Sequence, residues 1–403
     1  MLIKDCTIMQ EGYVNPPQSE LKYFNGEVKW LRAVDLNDED LYETSRTLSK
    51  AGFESAGKSA LLFKPNTLAV SKSGTIGRVG ILKDFMCGNR AVINVAPIEE
   101  KVNLMYLFYW LISNKSKLES RALGSIQKNL YTSLLGSFDI GDLSLKEQES
   151  VVKQINPIYY KIQNNKSLIK YLKEYSQLHF YKWFVQFNFP NNDGLPYKDN
   201  GGEMQLVEGK MIPIDWSITN ITTLGEIVAG GTPPTENKSY FSSNGIPWIT
   251  PKDLSINKNM YISRGLLDIS DEGYKNSSAK IMPEGTVLMS SRAPIGYLCI
   301  ANNSITTNQG FKSIVPKTGI SSEFIYYTLQ SIMSKIERIS SGSTFKEVSK
   351  EMMSKLKVVL PEKSILSKYN NNIIPISKKI KNLEEENVLL IEARDLLIKK
   401  LIK

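Results

Sequence analysis

The stretch Trp30-Leu31-Arg32-Ala33-Val34-Asp35-Leu36 is matched 218 residues later by Trp248-Ile249-Thr250-Pro251-Lys252-Asp253-Leu254. Further segments are related by the same offset, among them Gly124-Ser125-x-x-Lys128 with Gly342-Ser343-x-x-Lys346, and Pro157-Ile158 with Pro375-Ile376. One inserted residue moves the offset to 219 for Asn89 and Asn308. A nearly constant offset over this length indicates a tandem duplication, which constrains the architecture before any single element is assigned.

Each repeat begins with about 145 residues in which short strand-like runs alternate with turn signals. Thr67–Val70 and Thr286–Met289 are such runs, and helical stretches are predicted over Leu104–Glu119 and Ser322–Glu337. This mixture predicts the α+β class, with two similar globular domains in one chain.

The second part of each repeat is a predicted long helix with a narrow apolar seam. One amphipathic helix commonly packs on its own domain, but two copies in one chain favour mutual pairing as an antiparallel coiled coil with pseudo-two-fold symmetry. The seam residues expected to pair are Ile158, Ile162, Ile169, Leu172, Ile376, Ile380, Leu383 and Leu390.

Two residue types interrupt these helices. Asn165 and Asn387 lie in the seam, at what the spacing predicts to be different heights, where polar side chains help to set the register. Pro157 and Pro375 are tolerated only near a helix start or at a kink, so the straight portions are predicted to begin there.

The predicted organisation has five segments. They are a first domain (1–145), a first long helix (146–190), a linker (191–212), a second domain (213–360) and a second long helix (361–403).

Composition excludes several protein classes. The 403 residues are 41% hydrophobic and contain no apolar run long enough for a membrane span. The N-terminus lacks the apolar core of a signal peptide, which predicts a cytoplasmic protein. Three scattered cysteines argue against a disulfide framework and against a zinc site.

The net charge of +9 lies mainly in 146–190 and 361–403, so any nucleic-acid contact in the domains must use local patches.

Two similar domains on antiparallel helices have the symmetry of duplex DNA, as dimeric repressors do. Residues 158–184 span roughly 40 Å of helix, or about twelve base pairs of DNA. Because the domains differ in most residues, each is expected to read a different short sequence. The predicted target is bipartite and asymmetric, with an unread spacer.

Candidate DNA contacts are polar and basic residues in corresponding loops, because Arg, Lys, Asn and Gln read base edges and Ser and Thr bind phosphates. In the first domain they are Lys72, Ser73, Arg78, Asn89, Arg90, Ser125, Gln127 and Lys128. In the second they are Ser291, Arg292, Asn308, Gln309, Ser343, Thr344 and Lys346. The alternative for any one of them is a solvated surface turn. Trp30 and Trp248 are expected to pack in the core.

The sequence carries no complete catalytic motif. Asn15-Pro16-Pro17-Gln18 is similar to the Asn-Pro-Pro-aromatic loop of adenine methyltransferases, but Gln18 replaces the aromatic residue. The lone histidine, His179, lies in a helix near Trp183, where packing is its ordinary role. No Walker-type phosphate loop occurs. No catalytic residue and no metal site are predicted.

The linker carries a family resemblance. Lys182-Trp183-Phe184-Val185-Gln186-Phe187-Asn188-Phe189-Pro190, Ile212-Pro213-x-x-Trp216 and Leu224-Gly225-Glu226-Ile227 resemble the central region of type I restriction–modification specificity subunits. The likeness extends over essentially the whole chain. Pro361-Glu362-Lys363-Ser364-Ile365 departs from the Glu-Gln pattern seen at Leu145-Lys146-Glu147-Gln148-Glu149.

The resemblance implies two target-recognition domains, each reading half of a bipartite site in double-stranded DNA. It also implies that the helices dock two methyltransferase subunits, and that restriction subunits join the full complex. S-adenosylmethionine and ATP are expected on those partner subunits and no cofactor on this chain. The alternative function is a helical adaptor without DNA readout.

Overall fold

The computed structural model describes residues 1–122, 128–292, 294–340 and 346–402. Contacts divide the chain into two compact units. The first contains Met1–Asn165 and Asn387–Lys403, and the second contains Lys166–Glu386. Each unit combines an α+β domain with a stretch of each of two long helices. The finer domain limits stay a prediction.

The first unit contains two sheets with short helices around them. Its strands are β1 Thr7–Glu11, β2 Phe24–Leu31, β3 Glu39–Leu41, β4 Thr47–Leu48, β5 Leu62–Phe63, β6 Leu68–Ser71, β7 Val79–Leu82, β8 Met86–Gly88 and β9 Val92–Pro97. Its helices are α1 Ile3–Cys6, α2 Lys50–Glu54, α3 Leu104–Ser113, α4 Lys115–Arg121 and α5 Thr132–Gly136, and the long helix α6 Leu145–Phe180 begins here. The larger sheet has the order β1-β9-β6-β7-β3, and its edge strand β3 runs parallel to β7. The smaller sheet has the order β4-β2-β8-β5.

The second unit repeats this plan, with additional strands that begin inside the predicted linker. Its strands are β10 Met204–Val207, β11 Lys210–Pro213, β12 Ser217–Asn220, β13 Gly225–Ala229, β14 Phe241–Ser242, β15 Ile246–Ile249, β16 Tyr261–Ile262, β17 Leu267–Ile269, β18 Val287–Ser291, β19 Ile295–Ala301, β20 Thr306–Thr307, β21 Lys312–Pro316 and β22 Lys357–Leu360. Its helices are α7 Pro251–Ile256, α8 Asp271–Lys275, α9 Ser322–Ser331, α10 Met333–Ile339 and α11 Lys350–Ser354, and the long helix α12 Lys363–Leu401 begins here.

The large sheets of the two units correspond strand for strand. The second has the order β13-β21-β18-β19-β16, and its edge strand β16 is again parallel to its neighbour. Strands β6 and β18 are buried along their whole length, which explains their continuous apolar runs. The predicted pair of similar α+β domains joined by two long helices is therefore confirmed.

The predicted helical stretches 104–119 and 322–337 each form two helices instead of one. The breaks fall at Asn114 and Ile332, whose backbone leaves the helical conformation. Asn114 Nδ2 donates to the carbonyl oxygen of Trp110 at 2.9 Å, and Asn114 N donates to the same oxygen at 3.0 Å, so the side chain and the backbone of Asn114 share one acceptor at the end of the first helix.

The long helices begin well before their prolines. Pro157 and Pro375 both lie inside continuous helix, so neither marks a helix start, and the alternative of a kink at these residues stays a prediction. A proline inside a helix removes one backbone hydrogen bond. Packing compensates for that loss here, since Ile155 and Tyr159 flank Pro157 and are fully buried.

The helices pair within each unit. In the first unit, Ile155 and Tyr159 of α6 share a core with Ile398 of α12 and with Ile402, which follows the end of that helix. In the second unit, the later part of α6 packs with the earlier part of α12: the seam residues Ile169, Leu172, Ile376 and Ile380 contribute to one core there. Early residues of α6 thus meet late residues of α12 and the reverse, so the predicted antiparallel pairing is confirmed.

Burial varies along the seam. Ile162, Ile380 and Leu383 are buried, whereas Ile158, Ile169, Leu172, Ile376 and Leu390 are partly exposed. Tyr159 and Tyr369, which the seam analysis missed, are fully buried.

The two seam asparagines lie at the same height, which corrects the expectation of different heights. In the first unit, Asn165 Nδ2 donates to Asn387 Oδ1 at 3.1 Å, and both residues are buried. The prediction failed because it compared positions within each repeat. In an antiparallel pair, the level of a residue depends on where the two helices cross.

Replacing Asn165 with Leu is expected to destabilise the chain by about 1–3 kcal/mol, because Asn387 loses its buried partner. Thermal unfolding followed by circular dichroism measures the change in midpoint. The double variant Asn165→Leu/Asn387→Leu has no stranded amide and should recover most of the loss. A double variant as unstable as the single one would contradict this account of the pair.

Candidate nucleic-acid interface

Backbone hydrogen bonds bring the predicted loops of the first domain together. Lys72 N donates to the carbonyl oxygen of Ala91 at 2.7 Å, and Leu130 N donates to that of Lys72 at 2.9 Å. We call residues 72–78, 89–91 and 128–131 the first loop cluster. The structure thus collects the described candidates of this domain at the ends of β6, β8 and β9.

The second domain has the same backbone connections. Ser291 N donates to the carbonyl oxygen of Gly310 at 2.7 Å, and Val348 N donates to that of Ser291 at 3.0 Å. We call residues 291–297, 308–310 and 346–348, apart from Ala293, the second loop cluster. The duplication therefore extends to the hydrogen bonds that join the loops.

A buried serine holds the first loop of each cluster. Ser71 donates to the carbonyl oxygen of Thr75 and accepts from Arg78 N at 2.8 Å. Ser290 donates to the carbonyl oxygen of Pro294 and accepts from Tyr297 N, both at 2.8 Å. Both serines are fully buried, so each acts as a structural support beneath the exposed part of its loop.

The paired asparagines shape the second loop of each cluster. Asn89 Oδ1 accepts from Ala91 N at 3.0 Å, and Asn308 Oδ1 accepts from Gly310 N at 2.9 Å. These bonds fix a turn after each asparagine. Asn89 and Asn308 therefore have a definite structural role in addition to any contact with DNA.

In each domain a lysine–glutamate ion pair joins one residue of the loop cluster to a residue of a neighbouring strand, but the residues come from different positions. Lys72 Nζ lies 2.6 Å from Glu11 Oε2 in the first domain, with both side chains mostly buried. Lys312 Nζ lies 3.3 Å from Glu347 Oε1 in the second, and it also donates to Ser291 Oγ. Lys312 lies on β21 at the place that Ile93 takes in the first repeat. Because the corresponding residue of the first repeat is apolar, comparison of the two repeats does not reveal the ion pair of the second domain.

The candidate contacts differ in accessibility. Arg90, Lys128, Gln309 and Lys346 are exposed, and Lys72, Ser73, Arg78, Asn89, Arg292 and Asn308 are partly exposed. Arg292 Nη1 lies 3.5 Å from Glu347 Oε2, so that carboxylate faces two cations. Ser125, Gln127, Ser343 and Thr344 lie outside the described residues.

Ser291 was predicted to contact DNA, but its position in the structure does not allow this. It is fully buried, and its hydroxyl accepts a hydrogen bond from Lys312. Its place beneath the loop follows from the register: Ser291 ends strand β18, so its side chain is enclosed by the sheet. We correct it from a DNA contact to a support for the loop.

The two tryptophans hold two proline turns, Asn15-Pro16-Pro17-Gln18 in the first domain and Gly231-Thr232-Pro233-Pro234-Thr235 in the second. Trp30 Nε1 donates to the carbonyl oxygen of Val14 at 2.8 Å, and Trp248 Nε1 donates to that of Gly231 at 3.0 Å. Both indoles are almost fully buried, in agreement with core packing. In the second domain, Thr232 of the proline turn is also hydrogen-bonded to Gln309 of the loop cluster. The second proline turn thus borders the second loop cluster.

The three cysteines are buried, and the histidine is partly buried. Burial raises the pKa of the Cys87 thiol to about 12. His179 stacks on Tyr175 and Tyr369, and burial lowers its pKa, with a smaller contribution from Lys182. No group of three His, Cys, Asp or Glu residues able to hold a metal ion occurs in the part of the chain that the structure describes. Within that same part, no helix is long and apolar enough to cross a membrane.

Comparison with known proteins gives consistent matches. The family model described as "Type I restriction modification DNA specificity domain" matches residues 7–174 and again 213–386. The MjaIX specificity subunit of Methanocaldococcus jannaschii is 41% identical over 181 residues, which is 44% of this chain and 42% of that protein. The HindI specificity subunit of Haemophilus influenzae is 24% identical over 365 residues, covering 76% of this chain and 78% of its own.

A solved structure shares the fold. The type I restriction–modification S subunit from M. genitalium aligns with a TM-score of 0.55 at 17% identity, covering 100% of this chain and 95% of that one. At this identity the likeness concerns the fold alone.

Proposed function

The chain belongs to the family of type I restriction–modification DNA specificity proteins, and we propose that it is the subunit that recognises the DNA sequence. Each loop cluster reads one half of a bipartite, asymmetric site. The observation that carries this proposal is that corresponding backbone hydrogen bonds join the loops of both clusters, while the clusters present unlike side chains. The shared backbone hydrogen bonds give both clusters a similar placement on a duplex. The unlike side chains give each cluster its own base preference.

The side chains of the clusters suit both kinds of DNA contact. Arg78 in the first and Arg292 in the second provide guanidinium groups for base edges, which bind guanine in a bidentate manner. Lys128 and Lys346 are exposed and suit phosphates, where they contribute affinity without sequence preference. Loops held by buried serines need little ordering on binding, which favours selectivity.

The chemistry of modification and cleavage belongs, in this proposal, to partner subunits. The chain recognises DNA without catalysing a reaction. Methyltransferase subunits bind S-adenosylmethionine and methylate adenine, and restriction subunits use ATP when they are part of the complex. The complex acts on DNA in the cytoplasm.

The long helices dock two methyltransferase subunits through exposed apolar stripes. On α6, Tyr171 and Leu178 are 65% and 53% exposed. On α12, Leu389 and Leu396 are 67% and 69% exposed. The members of these pairs correspond at the 218-residue offset. Large apolar side chains at heptad spacing on a helix exterior favour a partner helix, and the repetition favours two equivalent partners.

The DNA-reading proposal is tested by a double-mutant cycle between protein and DNA. The complex of the chain with its methyltransferase partner is mixed at low salt with an intact duplex and with duplexes that have one half-site scrambled. Arg78→Ala is expected to weaken binding only when the first half is intact, and Arg292→Ala only when the second is intact. Each base contact contributes roughly 1–3 kcal/mol.

Electrophoretic mobility gives the affinities. Absence of any retarded complex with wild-type protein would favour the helical adaptor. Coupling of both arginines to the same half would contradict the assignment of one half-site to each domain.

The docking proposal predicts a change in stoichiometry. Tyr171→Glu/Leu178→Glu and Leu389→Glu/Leu396→Glu should each reduce the methyltransferase subunits bound per chain from two to one, because a charge in an apolar interface is costly. Native mass spectrometry counts the subunits. Lys153→Glu, at an exposed position of α6, is the control. Two bound subunits in both double variants would rule out these stripes as the docking surfaces.

A further inference from the structure

One buried carboxylate in the second unit joins three elements. The side chain of Glu384, on α12, is only 3% exposed. Its Oε1 accepts from Met260 N at 2.8 Å and from Lys173 Nζ of α6 at 2.8 Å, and its Oε2 accepts from Tyr261 N at 3.0 Å. The carboxylate therefore joins α12 to α6 and to the start of β16.

Strand β16 connects this carboxylate to the second loop cluster. It is the edge strand of the sheet β13-β21-β18-β19-β16 and pairs with β19. Strands β18 and β19 are joined by the loop that carries Arg292. The path from Glu384 to the cluster thus runs through hydrogen-bonded strands, from β16 to β19 and along β19 to the loop.

Stability alone does not explain a charge at this place. A buried ion pair is often no more stabilising than well-packed apolar residues of the same volume. A carboxylate that accepts from two successive backbone amides is directional, however, because both hydrogen bonds fail when the strand rotates or slides along the helix. Lys173 neutralises the charge and fixes the same group to the other helix.

The first unit anchors its edge strand in a different way. Tyr159 of α6 donates its hydroxyl to Asp40 Oδ1 of β3 at 2.8 Å. Residue 166, which corresponds to Glu384 at the 218-residue offset, is a lysine. Both units therefore connect a long helix to the parallel edge strand of the large sheet. In the second unit a carboxylate accepts from two backbone amides, and in the first a tyrosine hydroxyl donates to a carboxylate.

We propose that Glu384 is a positioning residue that fixes the orientation of the second domain on the helix pair. It thereby sets the spacer length at which the second half-site is accepted. This inference rests on the proposed function. It assigns no base contact to Glu384, so the bases read in each half do not depend on it.

The test uses the complex of the full chain with its methyltransferase partner. The recognised site is first identified by sequencing modified adenines in a host that carries the system. Duplexes are then made with the native spacer and with spacers one base pair longer or shorter, and transfer of a labelled methyl group to each is measured. Glu384→Gln keeps the size of the side chain and removes its charge. Glu392→Gln, at an exposed position of the same helix, is the matched control.

Glu384→Gln is expected to reduce the preference for the native spacer by about tenfold, since a change of 1.4 kcal/mol corresponds to a factor of ten. The bases required in each half should stay the same, and Glu392→Gln should behave as wild type. If Glu384→Gln does not fold, Lys173→Gln, which leaves both backbone hydrogen bonds in place, is expected to reduce the preference in the same direction.

An unchanged spacer preference in a folded variant would overturn the proposal. Equal loss of methylation at every spacer would also overturn it, because that result indicates a general defect. Failure of the wild-type complex to bind DNA would instead contradict the proposed function.

Discussion

Each long helix carries an apolar seam that must be removed from water. The fold depends on the packing of these two seams against each other within each unit. Within the first unit, early residues of α6 pack with late residues of α12, and within the second unit the reverse holds. A fully buried Leu or Ile side chain contributes about 1.5–3 kcal/mol. The buried positions therefore supply enough free energy to hold helices that each carry an internal proline. The pair of buried asparagines adds a polar contact that is satisfied in one register only.

The loop clusters of the two domains share a backbone framework but differ in their charged side chains. Serine and asparagine supports are repeated in both domains with nearly equal distances, so the backbone that presents the loops is preserved. The charged side chains around this backbone are not preserved, as the relocated lysine–glutamate pair illustrates. A duplicated gene product can in this way keep one geometry while each copy acquires its own sequence preference.

Repetition and periodicity made the architecture predictable. The offset between Trp30 and Trp248 indicated two domains, and the apolar spacing indicated paired helices. Contacts that depend on how strands and helices are aligned could not be predicted. The level of Asn165 against Asn387 depends on the crossing of two antiparallel helices, and the burial of Ser291 depends on its place at the end of a strand. Lys312 was not among the predicted site residues because its counterpart in the other repeat, Ile93, is apolar.

The central claim is that two similarly built loop clusters read two unlike half-sites in one DNA duplex. Sequencing of methylated adenines in a host that carries this chain with its partner subunits tests it most directly. The account predicts a motif of two different short sequences separated by a spacer of fixed length in which any base is accepted. A single continuous motif, or a palindrome with identical halves, would contradict it.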